Sequence, residues 1–176
     1  MPFAFLGLMR LSSREEREVP DAGVGGTGDK VLLTMFSDAG EPLGDALVQS
    51  VTKSESEWRK ELSPAELAVT RMNGTEPSYS GRYHHKTHAG LYRCVGCGNA
   101  LFRSNEQFDS GTGWPSFWMP ASDRNVRINK DVSFFMERLE VVCAKCNAHL
   151  GHVFRDGPAP TGLRYCINSV ALRLVG

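Results

Sequence analysis

The fold class this sequence predicts is a mainly β domain pinned by a metal. Two C-x-x-C pairs, Cys94-Val95-Gly96-Cys97 and Cys143-Ala144-Lys145-Cys146, each sit between strand-like segments. The run from Leu163 to Val175 alternates apolar and polar residues with period two. The clear helical signals are two short stretches between Ser54 and Gly74.

Along the chain, residues 1–51 differ from the rest. Pro20 to Asp29 carries Gly23, Gly25, Gly26 and Gly28, a linker composition. Val31 to Phe36 suits one short strand or a helical turn, and Asp38 to Pro42 reads as a turn. This part is expected to be a partly flexible N-terminal extension or a packed appendage, with a buried role open for Leu32 to Phe36. The compact domain is expected over residues 52–176. Ser54 caps a short helix carrying Trp58 and Leu62. Ser63-Pro64-Ala65-Glu66 is a capping box with proline in the first helical position, and Asn73-Gly74 ends that second helix. Leu91 to Cys94 leads into the first knuckle and Ala100 to Phe102 leads out. Val132 to Val142 runs into the second knuckle, and His149 to Phe154 leaves it as a strand closed by Asp156-Gly157-Pro158. In the last segment Leu163, Tyr165 and Ile167 share one face, and Arg164, Cys166 and Asn168 share the other. The apolar phase then moves to Val170, Leu172 and Leu174, which predicts a bulge or bend near Asn168-Ser169.

Composition excludes several classes. The 176 residues hold 20 basic and 20 acidic side chains, so bulk attraction to nucleic acid or an anionic membrane is not expected. No apolar run approaches the roughly 20 residues needed to span a bilayer. The apolar start is short and lacks a basic region, so no signal peptide is read, and Glu15-Glu16-Arg17-Glu18 argues against a transit peptide. Five cysteines, four with metal spacing, point to a reducing compartment, most simply the cytosol.

Four thiolates in two pairs complete a closed tetrahedral zinc shell, which makes the metal structural and not a Lewis acid. The gap between Cys97 and Cys143 is longer than in a compact zinc ribbon, so the insertion needs structure of its own. It contains Phe108 to Trp118, where glycines surround Trp114-Pro115. That pattern suits either a fixed loop presenting an aromatic or a core tryptophan between tight turns. Cys166 is left over, on a polar strand face where a packing cysteine would not sit. With His149 and His152 it makes the minimum set for cysteine chemistry, although both histidines could simply be packed. Asp156 could orient either ring or merely start the turn. His84, His85 and His88 read as a solvated loop.

Taken together, Gly74-Thr75-Glu76-Pro77, both knuckles, Phe108 to Phe117, His149 to Phe154, Asp156-Gly157-Pro158 and Arg164 to Ser169 resemble the methionine sulfoxide reductase B family. The resemblance runs from about Lys53 to Leu174. It implies two small antiparallel sheets joined around the zinc, with short N-terminal helices, and reduction of methionine-(R)-sulfoxide in proteins. Cys166 then matches the nucleophile, with His149, His152, Asn168 and Arg164 as its catalytic neighbours. Trp114, Phe154 and Thr112 match the substrate-binding side. Cys94, Cys97, Cys143 and Cys146 hold Zn2+. Many members carry a resolving cysteine where this chain has Thr112, so the resemblance implies a one-cysteine form. Its sulfenic acid would be recycled by thioredoxin, glutaredoxin or a small thiol. A monomer is expected. The rival readings are a non-catalytic zinc-binding interaction module and a nucleic-acid-binding ribbon, the latter weakened by the balanced charge.

Overall fold

The computed structural model describes residues 29–85, 89–131 and 138–176. The chain opens with a hairpin of β1 (Lys30–Phe36) and β2 (Pro42–Gln49). Two helices follow, α1 (Glu55–Glu61) and α2 (Pro64–Met72). Ser54 and Ser63 cap the two helices, as the sequence predicts; both caps are full capping boxes, a form expected from the sequence at Ser63 alone. Asn73, in the left-handed conformation at φ 55°, terminates α2.

Nine strands complete the domain: β3 (Leu91–Cys94), β4 (Ala100–Arg103), β5 (Gln107–Phe108), β6 (Ser116–Phe117), β7 (Val126–Asp131), β8 (Arg138–Cys143), β9 (His149–Phe154), β10 (Arg164–Ile167) and β11 (Leu172–Val175). They form a six-stranded sheet in the order β5-β6-β10-β9-β8-β7 and a three-stranded sheet in the order β11-β3-β4. Every pairing is antiparallel. The first half of the predicted strand from Val132, residues 132–137, lies outside the described residues.

The phase break after Asn168 marks a change of sheet. A 3-10 turn at Ser169–Ala171 carries the chain from β10 in the large sheet to β11 in the small one. The inward faces of the two sheets meet over an aromatic core. Phe102 stacks on Phe117 with centroids 4.4 Å apart, and Tyr92 meets Phe117 edge-on at 5.2 Å. Leu163, Tyr165 and Ile167 are all buried, as the alternation requires. The Tyr92 hydroxyl donates to Gln107 Oε1 at 2.7 Å, so this buried polar atom is paired.

The N-terminal hairpin docks on this body. Leu33 and Phe36 are buried. Thr34 and the fully buried Asn125 exchange two hydrogen bonds of 2.9 Å, Thr34 N–H to Oδ1 and Nδ2–H to the Thr34 carbonyl. Arg93 also donates to the carbonyls of Phe36 and Ser37. Among the described residues, no helix is long and apolar enough to cross a membrane.

Candidate functional site

The two knuckles come from different sheets. Cys94 ends β3 in the small sheet, and Cys143 ends β8 in the large one. Each turn is closed the same way: Gly98 N–H donates to the Cys94 carbonyl at 2.9 Å, and Asn147 N–H donates to that of Cys143 at 2.9 Å. The four sulfurs lie within 4.8 Å of one another, with Cys94–Cys146 at 3.7 Å and Cys97–Cys143 at 3.6 Å. Those separations are far beyond a disulfide bond of about 2.05 Å. They match the edges, about 3.8 Å, of a tetrahedron built on metal–sulfur bonds of about 2.3 Å. The sulfurs of Cys143 and Cys146, together with burial, hold the Cys94 thiol well above its ordinary range. A divalent cation removes that penalty, so the donor set fits a closed metal site that staples sheet to sheet.

The second centre is a polar row across the outer face of the large sheet. Register places Phe108 opposite Ser116, Ser116 opposite Cys166, Cys166 opposite His152, His152 opposite Glu140, and Glu140 opposite Asn129. Directly opposed residues in antiparallel pairs share a face, so all six project to the same side. Arg164 and Phe154 oppose each other in the adjoining row.

A bulge adds His149 to this face. Between the pairs Val141–Gly151 and Val142–His149, β9 advances two residues while β8 advances one. His149 therefore reaches Glu140, with Nδ1 2.7 Å from Oε1. Its Nε2 is buried and has no hydrogen-bond partner among the described residues. The rings of His149 and His152 meet edge-on at 5.4 Å. Gly151 is required here, because a Cβ would fall 2.0 Å from the Cys166 carbonyl oxygen.

Cys166 is half-buried. Burial pushes its thiol up, while the Arg164 charge and the hydroxyls of Thr112 and Ser116 pull it part of the way back. Thr112 Oγ1 is 4.0 Å from the sulfur. Ser110 links Thr112 at 2.8 Å to Ser116 at 2.7 Å, which makes a hydroxyl chain beside the thiol. Arg164 lies over the Phe154 ring at 4.5 Å and donates twice to Asp156, both bonds 2.9 Å. Asp156 therefore orients the arginine and neither histidine; the carboxylate that orients a ring is Glu140.

Trp114 is half-buried in the loop between β5 and β6, and its Nε1–H donates to the Glu76 carbonyl at 3.0 Å. This is the fixed loop presenting an aromatic, not the core tryptophan. Asn168 is buried; its Oδ1 accepts from Glu76 N–H at 3.0 Å and its Nδ2 donates to the Leu150 carbonyl at 3.0 Å. His84 bonds the Gly81 carbonyl through Nδ1 at 2.5 Å, and its ring lies tilted against His85 at 4.1 Å and edge-on to Tyr79 at 5.9 Å; His88 lies outside the described residues. Sequence reasoning missed Glu140, Ser110 and Ser116. The available signal for Glu140 was a single acid in the apolar run Leu139 to Val142.

Fold and site together define a metal-stapled β domain with a thiol centre on one open sheet face. A family model described as the SelR domain matches residues 62–176. The chain is 60% identical to the peptide methionine sulfoxide reductase MsrB of Bradyrhizobium diazoefficiens over 124 residues, 70% of this chain and 89% of that protein. It is 54% identical to the MsrB of Methanosarcina barkeri, over 70% of this chain and 87% of that one. The chloroplastic peptide methionine sulfoxide reductase B1 of Arabidopsis thaliana is 55% identical over 81% of this chain and 73% of its own length. The chain belongs to this family, the MsrB peptide methionine sulfoxide reductases.

Proposed function

We propose that this protein reduces methionine-(R)-sulfoxide in oxidised proteins back to methionine, a repair reaction in oxidative stress defence. It is a peptide-methionine (R)-S-oxide reductase. The observation that carries the reading is the placement of Cys166, the one cysteine outside the metal cluster, beside His152 on an open face.

The Cys166 sulfur attacks the electrophilic sulfoxide sulfur, and a protonated histidine donates to the oxygen as negative charge develops there. The substrate sulfur–oxygen bond breaks and a sulfur–oxygen bond forms on Cys166. Methionine leaves reduced by two electrons, and Cys166 is oxidised by two to the sulfenic acid. The buried, unpaired Nε2 supports His149 as the donor, with Glu140 fixing its tautomer through Nδ1. His152 flanks the thiol. Arg164, held by Asp156, supplies positive charge that favours the thiolate. Trp114 and Phe154 offer apolar surfaces for the substrate methyl and chain, and the Thr112 hydroxyl faces the reacting sulfur. Asn168 acts as a positioning residue between Glu76 and Leu150.

Two molecules of an external thiol, or one dithiol such as thioredoxin, then reduce the sulfenic acid and release water. Thr112 stands where a resolving cysteine would serve, which favours direct recycling by thioredoxin, glutaredoxin or a small thiol. Zn2+ is the metal that best suits four thiolates in a tetrahedron, and its part is structural. Five free cysteines suit a reducing compartment, the cytosol being the simplest, and a monomer is sufficient for the site.

The test is turnover of the separated R and S epimers of a dabsylated methionine sulfoxide with dithiothreitol, wild type against Cys166→Ser. Activity on the R epimer alone, abolished by the substitution, is expected. No turnover of either epimer by zinc-loaded protein would favour the non-catalytic zinc-binding module.

A further inference from the structure

The segment Gly74 to Tyr79 lies outside both sheets, yet it is bonded to both halves of the site. The Glu76 carboxylate is buried and receives two backbone N–H groups, Ser169 at 2.6 Å on Oε1 and Val170 at 3.0 Å on Oε2. Its own N–H donates to Asn168 Oδ1 at 3.0 Å, two residues beyond Cys166. Its carbonyl accepts the Trp114 indole N–H at 3.0 Å. Three residues on, Tyr79 N–H donates to the Gly113 carbonyl at 2.8 Å, and the Tyr79 hydroxyl donates to the Gly111 carbonyl at 2.6 Å. A Cβ on Gly113 would lie 2.7 Å from Tyr79 N, and its φ of +85° is one that favours glycine. A Cβ on Gly81 would fall 2.6 Å from Glu76 Oε1.

The loop carrying Trp114 needs such support. It joins β5 to β6, strands of two residues each, so the ladder itself gives the loop little support. The strap from Glu76 to Tyr79 ties that tip to the end of β10, the strand that holds the thiol. The carboxylate fixes the backbone of Glu76, and the backbone fixes the indole.

We propose that Glu76 and Tyr79 are positioning residues that set the spacing between the Trp114 platform and the Cys166 sulfur, and with it the fit of the sulfoxide methyl. Neither side chain touches substrate. The inference rests on Trp114 being the methyl-binding aromatic. Loss of a strap bond lets the platform drift, which weakens binding of the substrate while leaving the thiol chemistry intact.

The test compares Glu76→Gln, Tyr79→Phe and Trp114→Phe with wild type, measuring KM and kcat on the R epimer with saturating dithiothreitol. A KM is independent of the fraction of protein correctly folded, so a merely structural role would lower kcat and leave KM in place. We expect KM to rise about tenfold in Glu76→Gln, where an amide NH2 replaces one acceptor, and about threefold in Tyr79→Phe. Tyr79 is 58% exposed, so its variant decides the matter even should Glu76→Gln fail to fold. Raised KM in Trp114→Phe with wild-type KM in both strap variants would overturn the strap alone. Wild-type KM in Trp114→Phe would overturn the platform reading and the strap with it.

Discussion

Glu140 and His149 are joined across the β8–β9 ladder, Oε1 to Nδ1 at 2.7 Å, at a bulge that brings the ring onto the face carrying Cys166. The hydrogen bond to the ring holds the Glu140 carboxyl below its usual range, so it is a carboxylate at neutral pH. A carboxylate on Nδ1 keeps the proton there in the neutral ring and leaves Nε2 free for the proton transfer proposed for this ring. Glu140→Gln keeps the shape and removes the charge. We expect kcat/KM on the R epimer to fall by about 10- to 100-fold with zinc content unchanged. Activity within twofold of wild type would remove Glu140 from the mechanism.

Burial keeps Cys166 protonated at a pH where a free cysteine begins to ionise. Thiolate is the reactive form, so alkylation by iodoacetamide should rise with pH through a midpoint above the ordinary thiol value of about 8.5. Arg164→Met removes the opposing charge and should move that midpoint higher still. The same shift predicts the sign of an effect on stability. Above the ordinary thiol pKa the unfolded chain releases this proton and the folded chain keeps it, so stability falls as pH rises from the unfolded pKa to the folded one and stays at the lower level beyond it. Cys166→Ser should therefore lose less thermal stability than wild type between pH 8 and pH 10, measured by calorimetry. A wild-type midpoint below that of free cysteine would contradict the burial argument.

Arg71 reaches from α2 to the metal cluster. It donates to the Cys146 carbonyl at 2.9 Å and to the Cys146 sulfur at 3.5 Å, while its guanidinium covers the Trp58 ring at 4.4 Å. Four thiolates around a dication would leave a net charge of minus two, and the half-buried Arg71 guanidinium would offset half of it. Arg71→Gln should release zinc to a chromogenic chelator about tenfold faster than wild type, and Arg71→Lys should lie between. Equal release rates in all three would show that the contact does nothing for the metal.

How much of this was legible beforehand follows from which forces act locally. Both helix starts were readable because a capping box is a contact between residues three apart, as at Ser54 and Ser63. The metal staple and the lone thiol were readable because cysteine spacing encodes a local turn. The bend at Asn168-Ser169 showed as a phase shift, but its meaning, a change of sheet, depends on what β11 pairs with. Glu140 was hidden for the same reason: its role comes from a bulge in a neighbouring strand. From sequence Asp156 could orient either histidine or merely start the turn, and neither reading reaches Arg164, which points back along its own hairpin to this carboxylate. The hairpin of residues 30–49 read as an appendage because its anchor is the side chain of Asn125, far along the chain.

Thr112 places a hydroxyl oxygen 4.0 Å from the Cys166 sulfur, in a loop held by Ser110 and Tyr79. A cysteine there would bring a second sulfur within a small side-chain rotation of the first, and attack on the sulfenic acid would expel water and form a disulfide of ordinary length. In the native chain the sulfenic acid has no such partner. Wild-type protein treated with one equivalent of methionine-(R)-sulfoxide and no reductant should therefore be trapped by dimedone on Cys166. Thr112→Cys should resist dimedone, lose two hydrogens by intact mass, and turn over faster with thioredoxin than wild type does. Detection of a native disulfide from Cys166 to Cys94, Cys97, Cys143 or Cys146 would instead mean that the metal cluster supplies the resolving thiol. That result would predict zinc release on each turnover, which the same chelator assay reads.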